Sequence, residues 1–220
     1  MWQYFHFDKR FWDKFGDTIL ANVFTPTIFY HYFNRQARRA VIAANYWKED
    51  EDMLQDIIVA NDLKLGSDYK TAKKIMAWLN ATYPSFAYYT FDARETWNRP
   101  RETIQSFEER KAGKPRTYTT DCDDYAILIY SLCRVAGIPA ENLRLCFMKT
   151  TSEWHLNVMY LDKGKTPYAL EGTYRPTIAI SEFGRTPYMQ LKHNGIFYYE
   201  HLWILFNENG AWKHKYYIKD

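Results

Sequence analysis

Cys122 is the cysteine whose position could support chemistry. The chain has three cysteines, at positions 122, 133 and 146. Cys133 lies among apolar residues of a predicted helix and Cys146 alternates with apolar residues of a predicted strand, as small core residues do. Cys122 instead falls where that helix should begin, and amides at a helix N-terminus stabilise a thiolate and can hold an oxyanion. Cys122 is therefore the candidate nucleophile.

Three aspartates surround this cysteine. Asp121 suits the N-cap and Asp124 the third helical position, which together make a capping box. Their negative charges oppose ionisation of the Cys122 thiol. The segment lacks the alternating oxygen ligands, central glycine and distal glutamate of a calcium loop, and the chain has no Cys-x-x-Cys pair. We therefore expect no metal and no cofactor.

A base and an acid for this nucleophile lie on two predicted strands. Alternation places His155 on the less apolar face of its strand, and a hairpin centred on Lys163 would set His155 directly opposite Glu171. Such cross-strand pairs have Cβ atoms about 5 Å apart, so the carboxylate could accept from the imidazole. A shift of one residue would separate them. Taken alone, the pair fits a structural hydrogen bond as well as a catalytic one.

Helices precede strands along the chain, which predicts an α+β fold. Apolar spacing predicts helices over 49–63 and up to residue 83, a short helix over 102–110 and a buried helix over 123–136 that Gly137 and Pro139 end. Strands are predicted over 143–149, 154–161 and 167–174, with a hairpin of 196–206 and 211–218. We assign 1–48 to an aromatic-rich, helical N-terminal extension and 49–220 to one domain.

Composition excludes several classes of protein. The 220 residues are 47% hydrophobic and 19% aromatic, which predicts a packed core rather than disorder or a coiled coil. The net charge is +3 with both signs scattered, so we expect no nucleic-acid partner. The apolar runs are too short to span a membrane, and the first residues do not resemble a signal peptide. Three cysteines cannot all pair, which favours a reducing, cytoplasmic setting.

Four short segments together resemble the transglutaminase-like superfamily of papain-like thiol enzymes, in particular its cysteine peptidases of bacterial and phage type. They are Thr120-Asp121-Cys122-Asp123-Asp124-Tyr125-Ala126, Ala136-Gly137-Ile138-Pro139, Trp154-His155-Leu156-Asn157-Val158 and Leu170-Glu171-Gly172-Thr173. The segment Trp97-Asn98-Arg99-Pro100-Arg101-Glu102-Thr103 resembles the approach to the nucleophile, so the motifs span 97–174. The resemblance implies a papain-like core whose buried helix packs on an antiparallel sheet.

The resemblance also assigns roles to residues. It implies that Cys122 is the nucleophile, that His155 is the general base and acid, and that Glu171 orients His155. Three positions depart from the pattern: Thr120 replaces a common glycine, Glu171 replaces an aspartate, and Asn157 replaces a frequent tryptophan. Because glutamate is one methylene longer than aspartate, Glu171 could orient the His155 ring differently from the aspartate of the pattern.

The implied reaction is acyl transfer through a thioester on Cys122. Water as the acceptor gives a peptidase or amidase, whereas a lysine gives a cross-linking transglutaminase, with hydrolysis slightly favoured. The partner would be a protein or peptide substrate, in the cytoplasm or, for a phage protein, in the virion or host cytoplasm. Trp97, Gln105 and Tyr118 are candidates for a second oxyanion donor.

A non-enzymatic hypothesis competes with this one. The same fold could serve as a binding or assembly protein, for example a phage structural protein, with a catalytically silent site. This hypothesis rests on the aromatic-rich segment 1–48, which could bind a protein partner. Fold alone does not decide between the two hypotheses.

Overall fold

The chain folds as an α+β protein in which helices cover one face of an antiparallel sheet. The computed structural model describes residues 24–26, 41–91, 96–150, 154–164, 167–173, 180–182, 192–193, 196–197 and 199–214. Most of the predicted N-terminal extension, 1–48, lies outside these residues. Within the described part, no helix is long and apolar enough to cross a membrane.

Five α-helices that lie wholly within the described residues precede most of the sheet. They are α1 (Glu51–Ala60), α2 (Asp68–Thr82), α3 (Ser85–Tyr88), α4 (Pro100–Lys111) and α5 (Cys122–Val135). Their starts follow from local chemistry: the Ser67 side chain accepts from the Lys70 amide at α2, and Pro100 occupies the first turn of α4, where no amide is needed. The helices predicted over 49–63, up to residue 83 and over 102–110 are confirmed as α1, α2 and α4, with α4 two residues longer at its start, whereas α3 was not predicted.

The central helix α5 is buried on nearly every side. It packs against α1, α2 and α4 and against strands β2 (Leu143–Thr150) and β3 (Trp154–Leu161). This placement explains why its sequence is apolar all round. The helix ends at Val135, and Gly137, just beyond the C-cap Ala136, has a φ of +95°, a left-handed conformation that glycine adopts at low cost. The predicted buried helix and its stop are therefore confirmed.

Strands from distant parts of the chain form one antiparallel sheet. Besides β2 and β3, its strands are β1 (Phe24–Pro26), β4 (Pro167–Leu170), β5 (Ile180–Glu182), β8 (Tyr199–Asn207) and β9 (Gly210–His214). The strand order in this sheet is β1-β9-β8-β2-β3-β4-β5. A separate pair joins β6 (Lys192–His193) and β7 (Ile196–Phe197). The predicted C-terminal hairpin is present as β8 and β9, and β1 adds a strand from within the predicted extension.

The register of β3 and β4 differs from the predicted one by two residues. The strands pair Val158 with Leu170 and Leu161 with Pro167, so the hairpin is centred on residue 164 rather than on Lys163. The same register sets Glu171 opposite Asn157 instead of His155. Strand β4 also ends at Leu170, four residues before the predicted end. A shift of two keeps every side chain on its face, because side chains alternate with period two.

Candidate active site

The start of α5 is held by the predicted capping box. The Asp121 side chain accepts from the amides of Asp123 and Asp124, and Asp124 in turn accepts from the Asp121 amide at 3.0 Å. Cys122 is thereby fixed as the first helical residue. Its own N–H is the first-turn amide that this box does not use, and an amide in this position is the kind of donor that can stabilise a developing oxyanion.

The Cys122 thiol lies beside β3. Helix α5, which Cys122 begins, packs against β3, and the backbone of Leu156, one residue after His155, lowers the pKa of the thiol. Cys122 is partly exposed, whereas Cys133 and Cys146 are buried, as predicted for core residues. Cys122 is thus the thiol among the three that a reagent can reach.

The thiol of Cys122 is harder to ionise than the helix start alone predicts. Burial is the largest cause that raises its pKa well above the ordinary value, followed by the negative charges of Asp123 and Asp121 and, more weakly, of Glu171. The Leu156 amide opposes these effects and lowers the pKa. The expectation that the helix N-terminus brings the pKa of the sulfur toward neutrality is therefore corrected. The thiol needs a base to give up its proton.

His155 and Glu171 form a direct hydrogen bond despite the changed register. The distance from His155 Nε2 to Glu171 Oε2 is 2.8 Å, and both side chains are buried. This bond sets which ring nitrogen faces the acid, so Nδ1 is the nitrogen through which His155 would exchange a proton with another group. The structure thus joins two of the three predicted residues directly, and it places the third beside the same strand.

Two further residues hold the Glu171 carboxylate. Thr173 donates to Oε1 from both its amide, at 2.9 Å, and its hydroxyl, at 2.8 Å. The Asn157 side chain donates to Oε2 at 3.4 Å, the same oxygen that bonds His155. The sequence singles out Asn157 only as a departure from the pattern, and Thr173 only as the last residue of a segment that carries the resemblance. The signal that could have found them is their shared face with His155 and Glu171.

Glycine and threonine near the site have local explanations. A Cβ on Gly172 would lie 2.8 Å from Ile129 Cδ1 and 3.2 Å from Tyr125 Cβ, so glycine lets the chain after Glu171 approach α5 closely. Thr120 does not adopt positive φ, so glycine is not needed there. Its hydroxyl donates to the Tyr88 carbonyl at 2.8 Å. The Thr120 departure is therefore compatible with the local backbone.

The three aspartates could offer oxygen ligands to a cation. One oxygen from each of Asp121, Asp123 and Asp124 lies within 4.8 Å of the others. Both oxygens of Asp124 already accept from backbone amides, those of Asp121 and Asn98. Two structural roles therefore account for much of the clustering of these aspartates: they cap the start of α5, and Asp124 holds the backbone at Asn98, just before α4.

The candidates for a second oxyanion donor lie in different surroundings. Trp97 stacks on Phe206 with ring centroids 6.1 Å apart and packs against the core. The Gln105 side-chain amide donates a hydrogen bond to Glu109 at 2.8 Å on the exposed surface of α4, so this donor is already used within the helix. A role for Trp97 or Tyr118 stays a prediction.

Comparisons with known proteins give a distant structural similarity. No family model matches the sequence, and the search of curated proteins gave no significant match. Three solved structures of Legionella pneumophila LapG resemble the fold. The calcium-bound structure has a TM-score of 0.45 at 17% identity and a second structure 0.47 at 17%, each over 77% of this chain and 79% of that chain. The EGTA-treated structure has a TM-score of 0.46 at 18% identity over 77% of both chains.

Proposed function

We propose that the protein is a thiol-dependent acyltransferase that acts on amide bonds of protein or peptide substrates, with water as its favoured acceptor. One observation carries the proposal: His155 is hydrogen-bonded to buried Glu171 at 2.8 Å, on the strand β3 against which the helix that begins at Cys122 packs. These neighbouring elements support roles for Cys122 as nucleophile, His155 as base and Glu171 as the orienting acid. Cys122 is a partly exposed residue, as the access of water to an acyl group on it would require.

The reaction starts with a neutral thiol. Because burial and acidic neighbours raise the pKa of Cys122, His155 Nδ1 takes the thiol proton as Sγ attacks the amide carbonyl carbon. The new C–S bond moves an electron pair onto the carbonyl oxygen, which the Cys122 amide stabilises. When that pair returns, the C–N bond breaks and the imidazolium gives its proton to the departing amine.

A thioester on Cys122 remains. Water then attacks the thioester carbon and gives a proton to His155, the C–S bond breaks, and the sulfur recovers a proton as the acid is released. A lysine amine in place of water would give a cross-linked product by the same steps. Glu171 keeps the ring oriented and stabilises its charged form throughout.

Alkylation by iodoacetamide tests the proposal without a known substrate. We expect Cys122 to react faster than Cys133 and Cys146, and His155→Ala to slow Cys122 at pH 7 by at least about tenfold, because the thiolate is the reactive form. Peptide mass spectrometry measures all three sites, so the buried cysteines serve as internal controls. Equal, slow labelling at the three positions would contradict the proposal.

A second assay separates the two acceptors. Fluorescent casein reports hydrolysis and incorporation of an amine dye reports transfer to an amine. We expect release of casein peptides by the wild type and none by Cys122→Ala. Amine incorporation without peptide release would assign the protein to cross-linking instead.

A catalytically silent site is the second candidate, and one observation favours it. The charges of Asp121 and Asp123 raise the pKa of Cys122, which is the opposite of what an activated thiol needs. A binding or assembly protein would keep its biological activity in the Cys122→Ala variant. Loss of that activity in a folded Cys122→Ala protein would remove this candidate.

A further inference from the structure

A short segment connects the two halves of the candidate active site. Residues 85–91 contain α3 and the extended chain after it. At one end Ser85 Oγ donates to the Thr173 carbonyl at 2.7 Å, and Thr173 itself holds Glu171. At the other end the Thr90 amide donates to the Thr120 carbonyl at 2.7 Å, two residues before Cys122. The segment therefore runs from the acid side of the site to the nucleophile side.

The backbone of this segment is firmly held. The Tyr88 carbonyl accepts from the Thr120 hydroxyl and from Arg116 Nη1, the latter at 3.0 Å. The Tyr88 ring packs edge-on against Tyr83 and Phe107, with centroids 5.6 Å and 5.5 Å away. Packing and hydrogen bonding thus fix the segment through its inward-facing groups.

Two phenylalanines of the same segment remain in solvent. Phe86 is 82% exposed and Phe91 is 66% exposed. Tyr83, Tyr88 and Phe107 already supply the aromatic packing beneath the segment, so the two exposed rings add little to the core. Phe86 directly follows Ser85 and Phe91 directly follows Thr90, so each phenylalanine neighbours in sequence a residue that anchors the segment. We call Phe86 and Phe91 the apolar rim.

We propose that the apolar rim binds a non-polar side chain of the substrate polypeptide near the amide that Cys122 attacks, an inference that rests on the proposed function. The segment that carries the rim is hydrogen-bonded to Thr120, two residues before Cys122, and to Thr173, two residues after Glu171, so it borders the candidate site on both sides. The acidic groups around the sulfur disfavour an acidic side chain there, whereas a non-polar one buries its surface against the rings. The substrate class is thus a peptide with aliphatic or aromatic residues beside the reacting bond.

Paired affinity labels test this proposal. Acetyl-dileucyl-alanyl and acetyl-diseryl-alanyl chloromethyl ketones carry the same reactive group and differ only in their side chains. We expect Cys122 of the wild type to react about tenfold faster with the dileucyl reagent, the scale of a small apolar contact. Phe86→Ser and Phe91→Ser should each lower that ratio, and the double variant should bring it close to one. Intact-protein mass spectrometry measures the rates.

A matched control and a second reagent separate the possible failures. Val59 is 69% exposed near the end of α1, and Val59→Ser should leave the ratio unchanged. Iodoacetamide should label Cys122 equally in all variants. A wild type without the preference, or a preference that survives in the double variant, overturns the apolar rim while fast labelling by iodoacetamide leaves the proposed function standing. Slow, equal alkylation of Cys122 and Cys133 by iodoacetamide overturns both.

Discussion

Glu171 shows how side-chain length and strand register depend on each other. In the observed register Glu171 lies diagonally from His155, and diagonal cross-strand neighbours have Cα atoms about 7–8 Å apart instead of about 5 Å. The extra methylene of glutamate, relative to the aspartate that the resemblance implies, covers part of this difference. The 2.8 Å bond to His155 is the result. The departure from the pattern is therefore matched by a change in the backbone.

Shortening Glu171 tests this relation. We expect Glu171→Asp to lose the bond to His155 and to slow iodoacetamide labelling of Cys122 by about tenfold, because an unoriented imidazole accepts the thiol proton poorly. Glu171→Gln keeps the length but not the charge, and it should slow labelling to a similar extent. If Glu171→Asp reacts as fast as the wild type, side-chain length does not matter and the argument from register fails.

The capping box at the start of α5 has two opposing effects. Asp121 stabilises the helix that carries Cys122, since its carboxylate accepts from the amides of Asp123 and Asp124. The same negative charge raises the pKa of the Cys122 thiol. A neutral side chain with an oxygen in the same place would keep the first effect and lose the second.

Two substitutions at Asp121 separate these effects. Asp121→Asn retains an acceptor oxygen, so we expect the free energy of unfolding to change by less than about 0.5 kcal/mol while labelling of Cys122 becomes severalfold faster at pH 7. Asp121→Ala removes the cap and should cost about 1 kcal/mol in the free energy of unfolding. Urea denaturation and alkylation rates measure the two quantities. Slower labelling in a stably folded Asp121→Asn protein would show that the charge does not hinder the thiol.

Much of the architecture follows from the sequence because its signals are local. Apolar residues on all sides of α5 and glycine after it predict a buried helix and its end, and both are observed. The acidic cap and the alternation of β3 are equally local. They place Cys122 at a helix start and put His155 and Glu171 on one face of the sheet.

Features that depend on contacts between distant parts of the chain could not be predicted from the sequence. The exact register of β3 and β4 depends on how the turn near Gly164 closes, and a shift of two residues leaves the polar and apolar faces unchanged. The pKa of Cys122 depends on burial by elements far apart in sequence, so the helix start alone gave the wrong direction. The roles of Asn157 and Thr173 needed the Glu171 side-chain position.

The buried core contains many groups that resist ionisation, and this has a consequence for the whole molecule. Burial is the main cause that raises the pKa of four tyrosines and two cysteines above their ordinary values: Tyr83, Tyr125, Tyr130, Tyr160, Cys133 and Cys146. The folded chain therefore keeps these protons at a pH where the unfolded chain, with ordinary pKa values of about 8.5 for cysteine and 10 for tyrosine, loses them. Such groups stabilise the fold fully below those values and progressively less above them.

Alkaline pH should consequently unfold the protein cooperatively. We expect the free energy of unfolding to be steady near pH 7 and to fall above about pH 9, with each such tyrosine adding up to about 1.4 kcal/mol per pH unit beyond pH 10. Circular dichroism in urea at a series of pH values measures the fall, and tyrosinate absorbance near 295 nm should rise with the loss of structure. Tyr83→Phe removes one of these groups, together with its 2.6 Å bond to Glu108, and should make the decline less steep. Tyrosinate formation by the buried groups while the circular dichroism stays native would contradict this account of the core, because ionisation would then not require unfolding.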